Sequence, residues 1–358
     1  MSEHIVDLGV HTDPIPLLAR VKPGDRLRIR CPRPVTPAQQ NYLLLFEHLS
    51  PVIEYTEEVW GEGDYDVERL AIPTEPILAM TGEFLQSLCD YSVLNREKTT
   101  EKYVCASFAC PPERQLLTDE KWGAEVFEAK SLFIYPVYDK STLHSVFSKS
   151  WPNLRLIIFH NSDYPVEYKP ITQFLESHPA VCVWAENSII PHPRIRCVPI
   201  GLPNRIWRGG SLDTDPPITI SRREDRQIEI CMAHWGPTHP VRFAWLQQAE
   251  GKPLYRAPKL EKEEYLEFLT SCRALLCPQG NGVDTHRVWE CLTKGVWAIV
   301  QDNSHTQVLL EQNPSLHLLP IDDLDDLKNL TVPPSPAPFH PLILREYWRI
   351  LFAAATLL

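Results

Sequence analysis

The sequence predicts two α/β domains in tandem, followed by a terminal helix. Short apolar runs rich in valine, isoleucine and leucine alternate with segments of helical periodicity, which is typical of parallel sheets covered on both faces. A polar segment rich in proline and glycine, from Pro203 to Arg226, interrupts this alternation before it restarts. The 358 residues are also enough for two hydrophobic cores.

In the first half of the chain, strands are predicted where the sequence alternates at period two or is continuously apolar, at 27–31, 52–55, 132–135, 154–159 and 181–184. Thr36 is predicted to cap a helix that extends through Phe46. Two further segments, 141–147 and 171–177, have the spacing of amphipathic helices.

The second half continues in the same way. Strands are predicted at 227–232, 274–277 and 297–301, and helices at 241–248, 265–271 and 286–293. A proline cluster at 333–338 precedes an amphipathic stretch, 342–358. Many of the 34 prolines thus fall at strand ends or in turns, and others cluster in two connectors. This distribution favours short elements joined by stiff turns over disorder. The predicted divisions are a first α/β domain at 1–203, a linker at 204–226, a second α/β domain at 227–332, and a connector with its tail helix at 333–358.

Composition excludes several classes of function. The net charge of −11 disfavours nucleic acid as a partner, because a phosphate backbone would be repelled over most of the surface. No apolar run reaches 18 residues, so we expect no transmembrane segment, although peripheral membrane contact stays open. The ten cysteines are scattered, mostly within apolar runs, and the first residues lack a signal-peptide pattern, so we expect a reducing, cytoplasmic location.

The segment 275–290 carries the clearest chemical signal. An apolar strand ends at Pro278, a glycine-rich turn follows, Asp284 or Thr285 can cap, and a helix then begins. Gly280 and Gly282 allow backbone N–H groups to approach a ligand closely, and the start of the helix adds unpaired donors. The segment therefore predicts an anion site at the carboxyl end of a parallel strand.

Side chains around this turn extend the prediction. Arg287 can make a bidentate contact with a diphosphate, and Glu290, one turn along, can accept hydrogen bonds from ribose hydroxyls. Asn281 can turn its amide to a phosphate or only support the turn. In a purely structural alternative, Asp284 caps, Arg287 pairs with Glu290, and the glycines only shape the turn. Neither a Walker loop nor G-x-G-x-x-G is present, which disfavours a kinase or dehydrogenase.

Residues 278–290, continued by Leu292, Gly295, Ile299 and Val300, resemble the exostosin-like glycosyltransferase motif Pro-x-Gly-Asn-Gly-x-Asp-x-His-Arg-x-Trp-Glu. Residues 233–242 resemble the opening of the same domain, in which an arginine reaches the diphosphate. The resemblance covers roughly residues 150–320 and is thin over 1–130. It implies a GT-B architecture, in which two Rossmann-like domains face each other across a cleft and a C-terminal helix returns to the first domain.

The resemblance also implies an activity and its ligands. The activity is transfer of a sugar from a UDP- or GDP-sugar to a glycan or another hydroxyl acceptor, with no metal or other cofactor. The residues expected to bind the donor lie in the loops and helix starts of the second domain: His234, Arg242, Gly280, Asn281, Gly282, Asp284, Thr285, His286, Arg287 and Glu290.

The catalytic base is expected at the strand ends of the first domain, where His160, Asp163 and Glu186 are the candidates, each with a structural alternative as a cap or loop charge. Gly201 and Asn204 are expected to form the hinge. His239 is expected to be structural.

The Asp-x-Asp strings, which hold a cation in other glycosyltransferases, are interpreted as solvated loop charges here: Asp64/Asp66, Asp213/Asp215 and Asp323/Asp325.

Two other functions remain as alternatives. A fucosyltransferase-like GT-B enzyme also has a strand, turn and helix that end in a carboxylate, although the Gly-Asn-Gly-Val-Asp-Thr-His-Arg run disfavours it. A non-catalytic protein of the same fold could bind a nucleotide or a glycan without transferring a sugar.

Overall fold

The structure is a computed structural model that describes residues 3–7, 26–30, 53–55, 79–95, 111–135, 139–166, 168–189, 191–204, 226–314, 316–333 and 341–357. These residues fall into two compact units. The first unit holds the described residues within Met1–Ala79 and Leu344–Leu358. The second holds those within Met80–Thr214 and Thr219–Ile343.

The first unit contains a sheet of three parallel strands in the order β1-β2-β3. These strands are β1 (Glu3–Asp7), β2 (Arg26–Arg30) and β3 (Ile53–Tyr55). In β2, Leu27 and Ile29 alternate with arginines, which is the period-two pattern from which the strand was predicted. The predicted strands at 27–31 and 52–55 are therefore confirmed, and both belong to a sheet of their own.

The second unit contains two parallel sheets, of which the first has six strands in the order β5-β4-β6-β7-β8-β9. The strands are β4 (Tyr91–Leu94), β5 (Gln115–Leu117), β6 (Ser131–Tyr135), β7 (Leu156–Phe159), β8 (Cys182–Ala185) and β9 (Ile195–Cys197). Its helices are α1 (Gly82–Leu88), α2 (Lys140–Phe147) and α3 (Tyr168–Ser177). Every residue of β6 and β7 is buried, because both faces of these central strands are covered.

The second sheet has five parallel strands in the order β11-β10-β12-β13-β14. They are β10 (Ile228–Met232), β11 (Tyr255–Arg256), β12 (Cys272–Leu276), β13 (Trp297–Gln301) and β14 (Leu318–Ile321). The helices between them are α4 (Pro240–Gln248), α5 (Lys262–Thr270), α6 (His286–Thr293) and α7 (Ser304–Gln312). His239 caps α4, since its side chain accepts the backbone N–H of Val241, and this confirms its structural role.

The chain ends in α8 (Arg345–Leu357), which belongs to the first unit. Short 3₁₀ turns at Pro112–Arg114, Ala124–Glu128, Leu324–Lys328 and Pro341–Ile343 complete the regular structure of the described residues. None of the helices in these ranges is both long and apolar enough to cross a membrane.

The expected class, α/β with parallel sheets, is confirmed. Several predictions lie outside the described residues: the helix from Thr36 to Phe46, most of the linker, the proline cluster, and the first two Asp-x-Asp strings. The domain boundaries at 203, 226 and 332 stay predictions. The sequence patterns did not predict α1, β1, β4, β5, β9 and β11. They did not predict α7 and β14 either. These last two elements are poorly marked, because α7 is largely polar and β14 contains Pro320.

Candidate functional site

The glycine-rich turn lies between β12 and α6, as predicted. Thr285 occupies the N-cap position with an extended backbone (φ −138°), although its hydroxyl makes no capping hydrogen bond. Within the turn, the N–H of Gly280 donates to the carbonyl of Gly282 over 3.1 Å. The predicted helix at 286–293 has the bounds of α6, so the turn leads directly into it.

Two arginines lie beside the turn. Arg242 donates from Nε to the carbonyl of Gln279 (3.1 Å) and from Nη1 to the hydroxyl of Thr238 (3.0 Å). Arg287 donates from Nη2 to the carbonyl of His234 (2.9 Å). Burial lowers the pKa of Arg242, and the nearby positive charge of Arg287 lowers it further. The two guanidinium groups are therefore neighbours.

No carboxylate of the described residues lies within 4.0 Å of either guanidinium. Glu290 is three residues from Arg287 on the same helix, yet the two form no ion pair. Two neighbouring cations that are bonded to neutral acceptors keep their charge available to an anion. Arg242 is thus bonded to the turn, its expected contact with a diphosphate stays a prediction, and the ion pair between Arg287 and Glu290 of the structural alternative is not formed.

The two glycines of the turn make room for protein groups. A Cβ at Gly280 would lie 2.8 Å from Nη2 of Arg242. A Cβ at Gly282 would lie 3.3 Å from the side-chain amide of Asn187 and 3.3 Å from the carbonyl oxygen of Asp163. The glycines therefore allow close approach by an arginine on one side and by the strand-end loops of the six-stranded sheet on the other, while the expected approach of a ligand stays a prediction.

Asp284 is engaged within the protein. The residue is 4% exposed. Its carboxylate accepts hydrogen bonds from the backbone N–H groups of Ile200 and Thr285, each at 2.8 Å, and from the indole N–H of Trp289 at 2.9 Å. Its own N–H donates to Oδ1 of Asn187 over 2.9 Å. These bonds join the turn to the loops that follow β8 and β9, so Asp284 connects the two sheets of the second unit.

His286 makes a similar connection. Its Nδ1 lies 2.8 Å from the carbonyl oxygen of Gly201, and burial lowers its pKa. The remaining expected donor residues are more accessible: Asn281 and His234 are exposed, and Glu290 is half-buried. The structure thus separates the expected donor residues into those bonded within the protein and those at its surface.

Two of the three candidate bases, His160 and Glu186, form a buried pair. Nδ1 of His160 lies 3.2 Å from Oε2 of Glu186, and the two side chains are 1% and 2% exposed. The same Oε2 accepts the N–H of Asn161 at 2.7 Å, and Nε2 of His160 lies 2.9 Å from the carbonyl oxygen of Pro199. Burial raises the pKa of Glu186 to about 7, although the nearby His160 opposes this rise.

Asp163, the third candidate, is exposed. It follows β7 in the loop whose backbone approaches Gly282. It is therefore the only candidate base among the three whose side chain a ligand can reach without a rearrangement of the core.

Both expected hinge residues are held in place. Gly201 has φ +68°, and a Cβ there would lie 2.5 Å from the carbonyl oxygen of Met80. Asn204 accepts the N–H of Glu83 at 3.1 Å and donates to Oδ1 of Asn161 at 3.0 Å. The glycine is thus required by its conformation and by its surroundings, while the expected hinge motion stays a prediction.

Sequence reasoning missed Gln279, whose side chain and backbone bind several parts of the site. Its Nε2 lies 3.0 Å from Nε2 of His239, and its Oε1 accepts from Asn303 over 3.4 Å. Its backbone N–H donates to Oε1 of Gln301, and its carbonyl oxygen accepts a hydrogen bond from Nε of Arg242. Its place between Pro278 and Gly280 was the signal that could have identified it.

The third Asp-x-Asp string lies at an exposed acidic turn, as expected. Asp323 caps this turn and accepts the N–H of Asp325 at 2.6 Å, and Asp325 pairs with Lys252. Across the described ranges, no three metal-binding side chains come together. The seven described cysteines are free thiols and six of them are buried, as the sequence indicated.

No protein-family model matches this chain, and a search of curated proteins finds no match either.

Proposed function

We propose that this protein is a glycosyltransferase of the GT-B type, which transfers a sugar from a UDP- or GDP-sugar to a hydroxyl acceptor. The observation that carries the proposal is the pair Arg242 and Arg287, two neighbouring guanidinium groups beside a glycine turn and a helix start, with no carboxylate within 4.0 Å among the described residues. A nucleoside diphosphate would supply the negatively charged partner that these two guanidinium groups do not have among the described residues.

The donor would lie along the start of α6. Arg242 and Arg287 would bind the two phosphates, and the exposed Asn281 would reach a phosphate or sugar hydroxyl. Glu290, half-buried one turn further along, would accept from the ribose. Positive charge beside the diphosphate favours its departure, because negative charge develops on the leaving oxygen during transfer. This arrangement requires no metal, as the resemblance to the exostosin-like family implies.

Asp163 would be the base. In the transfer, the acceptor oxygen bonds to the anomeric carbon as the bond from that carbon to the diphosphate oxygen breaks, and the proton of the acceptor hydroxyl passes to Asp163. Its exposure and its position next to Gly282 favour Asp163 over the buried His160 and Glu186. The buried pair would instead shape the loop that carries it.

Two features of the fold support the GT-B interpretation. The two parallel sheets of the second unit contribute strand-end loops to one site, through the contacts between Gly282 and Asn187 and between Asp284 and Ile200. The terminal helix α8 belongs to the same unit as β1, β2 and β3, and these strands fall within the first domain expected at 1–203.

Calorimetry with UDP and with GDP tests the binding step. We expect Arg242→Ala and Arg287→Ala each to weaken binding at least tenfold, since each removes a charged contact worth about 1.5–3 kcal/mol. Glu290→Ala should weaken binding of the nucleoside diphosphate and leave inorganic pyrophosphate unaffected. Arg273→Ala is the matched control, because Arg273 pairs with Glu229 and lies on the same sheet. Unchanged affinity in both arginine variants would refute the assignment.

Release of nucleoside diphosphate from a panel of nucleotide sugars, with and without acceptors, tests the reaction itself. We expect release by the wild type, and a loss of kcat with unchanged donor affinity in Asp163→Asn. Binding of a nucleotide sugar without release from any of them would favour the non-catalytic alternative. Turnover of a GDP-fucose donor alone would favour the fucosyltransferase-like alternative.

A further inference from the structure

Two aromatic rings contact Arg287. Its guanidinium carbon lies 5.6 Å from the ring centroid of Trp235 and 5.8 Å from that of Tyr265. Both distances are within the range in which the face of an aromatic ring attracts a cation. Trp235 lies in the segment that follows β10, and Tyr265 lies in α5, so a strand-end loop and a helix supply these rings.

Trp235 also binds the other arginine. Its indole Nε1 donates to the backbone carbonyl of Arg242 over 3.2 Å, and its side chain is only 3% exposed. The preceding residue, His234, accepts Nη2 of Arg287 on its carbonyl oxygen. The short segment after β10 therefore contacts both members of the arginine pair.

The polar atoms of this cluster are incompletely paired. Nη1 of Arg287 and the hydroxyl of Tyr265 are buried, and neither has a hydrogen-bond partner in the described part of the chain. A buried donor without a partner is unfavourable, and among the described residues a single hydrogen bond, from Nη2 to the carbonyl of His234, holds this guanidinium in position. Ring faces can do so without neutralising its charge, whereas a carboxylate would compete with an incoming phosphate.

We propose that Trp235 and Tyr265 are positioning residues, whose ring faces hold Arg287 next to Arg242 with its charge unneutralised. This inference rests on the anion site of the proposed function, and it identifies the side chains that orient Arg287 within that site. The indole of Trp235 fixes the backbone of Arg242 in addition. The two aromatic rings thereby orient the guanidinium as a carboxylate does in an ion pair, but they add no negative charge.

The test compares aromatic with aliphatic replacements, with inorganic pyrophosphate as the probe in calorimetry. Tyr265→Phe keeps the ring and removes only the unpaired hydroxyl, so we expect its affinity to stay within about threefold of the wild type. Tyr265→Leu removes the ring face, and we expect affinity to fall about tenfold. Trp235→Phe and Trp235→Leu form a second pair with the same ordering, in which Phe also loses the bond to Arg242.

Recovery of affinity in the Phe variants separates the role of the ring from packing alone. Near-ultraviolet circular dichroism and the thermal midpoint identify any Trp235 variant that does not fold, and in that case the Tyr265 pair decides. Equal affinities of Tyr265→Leu and Tyr265→Phe would overturn the inference. If pyrophosphate binding follows the expected order while no nucleotide sugar is turned over, the aromatic positioning stands and the proposed glycosyl transfer falls.

Discussion

Oδ1 of Asn187 accepts a 2.9 Å hydrogen bond from the backbone N–H of Asp284, and this bond joins the loop after β8 to the glycine turn of the other sheet. The Nδ2 of Asn187 donates to the carbonyl of Ser162 over 2.6 Å, which adds the loop after β7. Asn187 has φ +54°, a conformation that non-glycine residues adopt at a cost. One strained asparagine thus connects three loops that carry candidate site residues.

Asp284→Ala should lower the free energy of unfolding by about 3 kcal/mol or more, because it leaves the N–H of the half-buried Ile200 and the buried indole N–H of Trp289 without an acceptor. Urea unfolding at pH 7 measures this change. Asp322→Ala, at an exposed aspartate, should stay within about 0.5 kcal/mol of the wild type. A loss of less than about 1 kcal/mol in Asp284→Ala would show that this carboxylate does not hold the loops together.

Gly201→Ala should be more destabilising than Gly251→Ala, although both glycines have positive φ (+68° and +75°). At Gly251 no atom lies within 4 Å of the added Cβ, so only the backbone conformation is strained, at about 1 kcal/mol. At Gly201 the Cβ would also lie 2.5 Å from the carbonyl oxygen of Met80. We therefore expect Gly201→Ala to lower the free energy of unfolding by about 3 kcal/mol in total. Equal losses in chemical denaturation would contradict this contact.

Gly280→Ala should reduce the free energy of anion binding by more than it reduces the free energy of unfolding. Its Cβ would lie 2.8 Å from Nη2 of Arg242, which is the far end of a flexible side chain and can move away. We expect pyrophosphate affinity to fall about tenfold, or about 1.4 kcal/mol, as Arg242 is displaced from Arg287. Gly236→Ala is the control, since its Cβ would only approach Thr238 at 3.8 Å. Retention of wild-type affinity by Gly280→Ala would remove the turn from the anion site.

Glu186→Gln should change how stability depends on pH. Burial raises the pKa of this carboxyl from 4.5 to about 7 in the folded state, so between these values the folded protein holds a proton that the unfolded chain has lost. Wild-type stability should therefore fall as pH rises through this window, by about 3 kcal/mol in total relative to the variant, because one pKa unit corresponds to about 1.4 kcal/mol.

Urea unfolding of wild type and Glu186→Gln at pH 5, 6, 7 and 8 measures this difference, and the comparison cancels groups that titrate equally in both proteins. Glu176→Gln, at an exposed helix position, provides the control and should follow the wild type. A constant difference between wild type and Glu186→Gln across these pH values would show that Glu186 is ionised throughout.

Local patterns in the sequence were sufficient to predict much of the fold. The runs at 132–135 and 154–159 predicted buried strands, since burial on both faces requires apolar side chains at every position, and the second strand begins two residues later than predicted. The bounds of α6 followed from the glycine turn and from a cap at Asp284 or Thr285, of which the structure has Thr285. The pairing order of the strands did not follow, because it depends on contacts between residues that are distant in the chain.

For the candidate site, the sequence by itself determined which residues stand at the strand ends and around the glycine turn, because residue type and spacing are local properties. Only the tertiary structure decided what each one does there. It buried Glu186 against His160, gave Asp284 three donors within the protein, and placed no carboxylate of the described residues against Arg242 or Arg287. Burial and the identity of a partner depend on which distant segments meet, and no spacing along the chain encodes that directly.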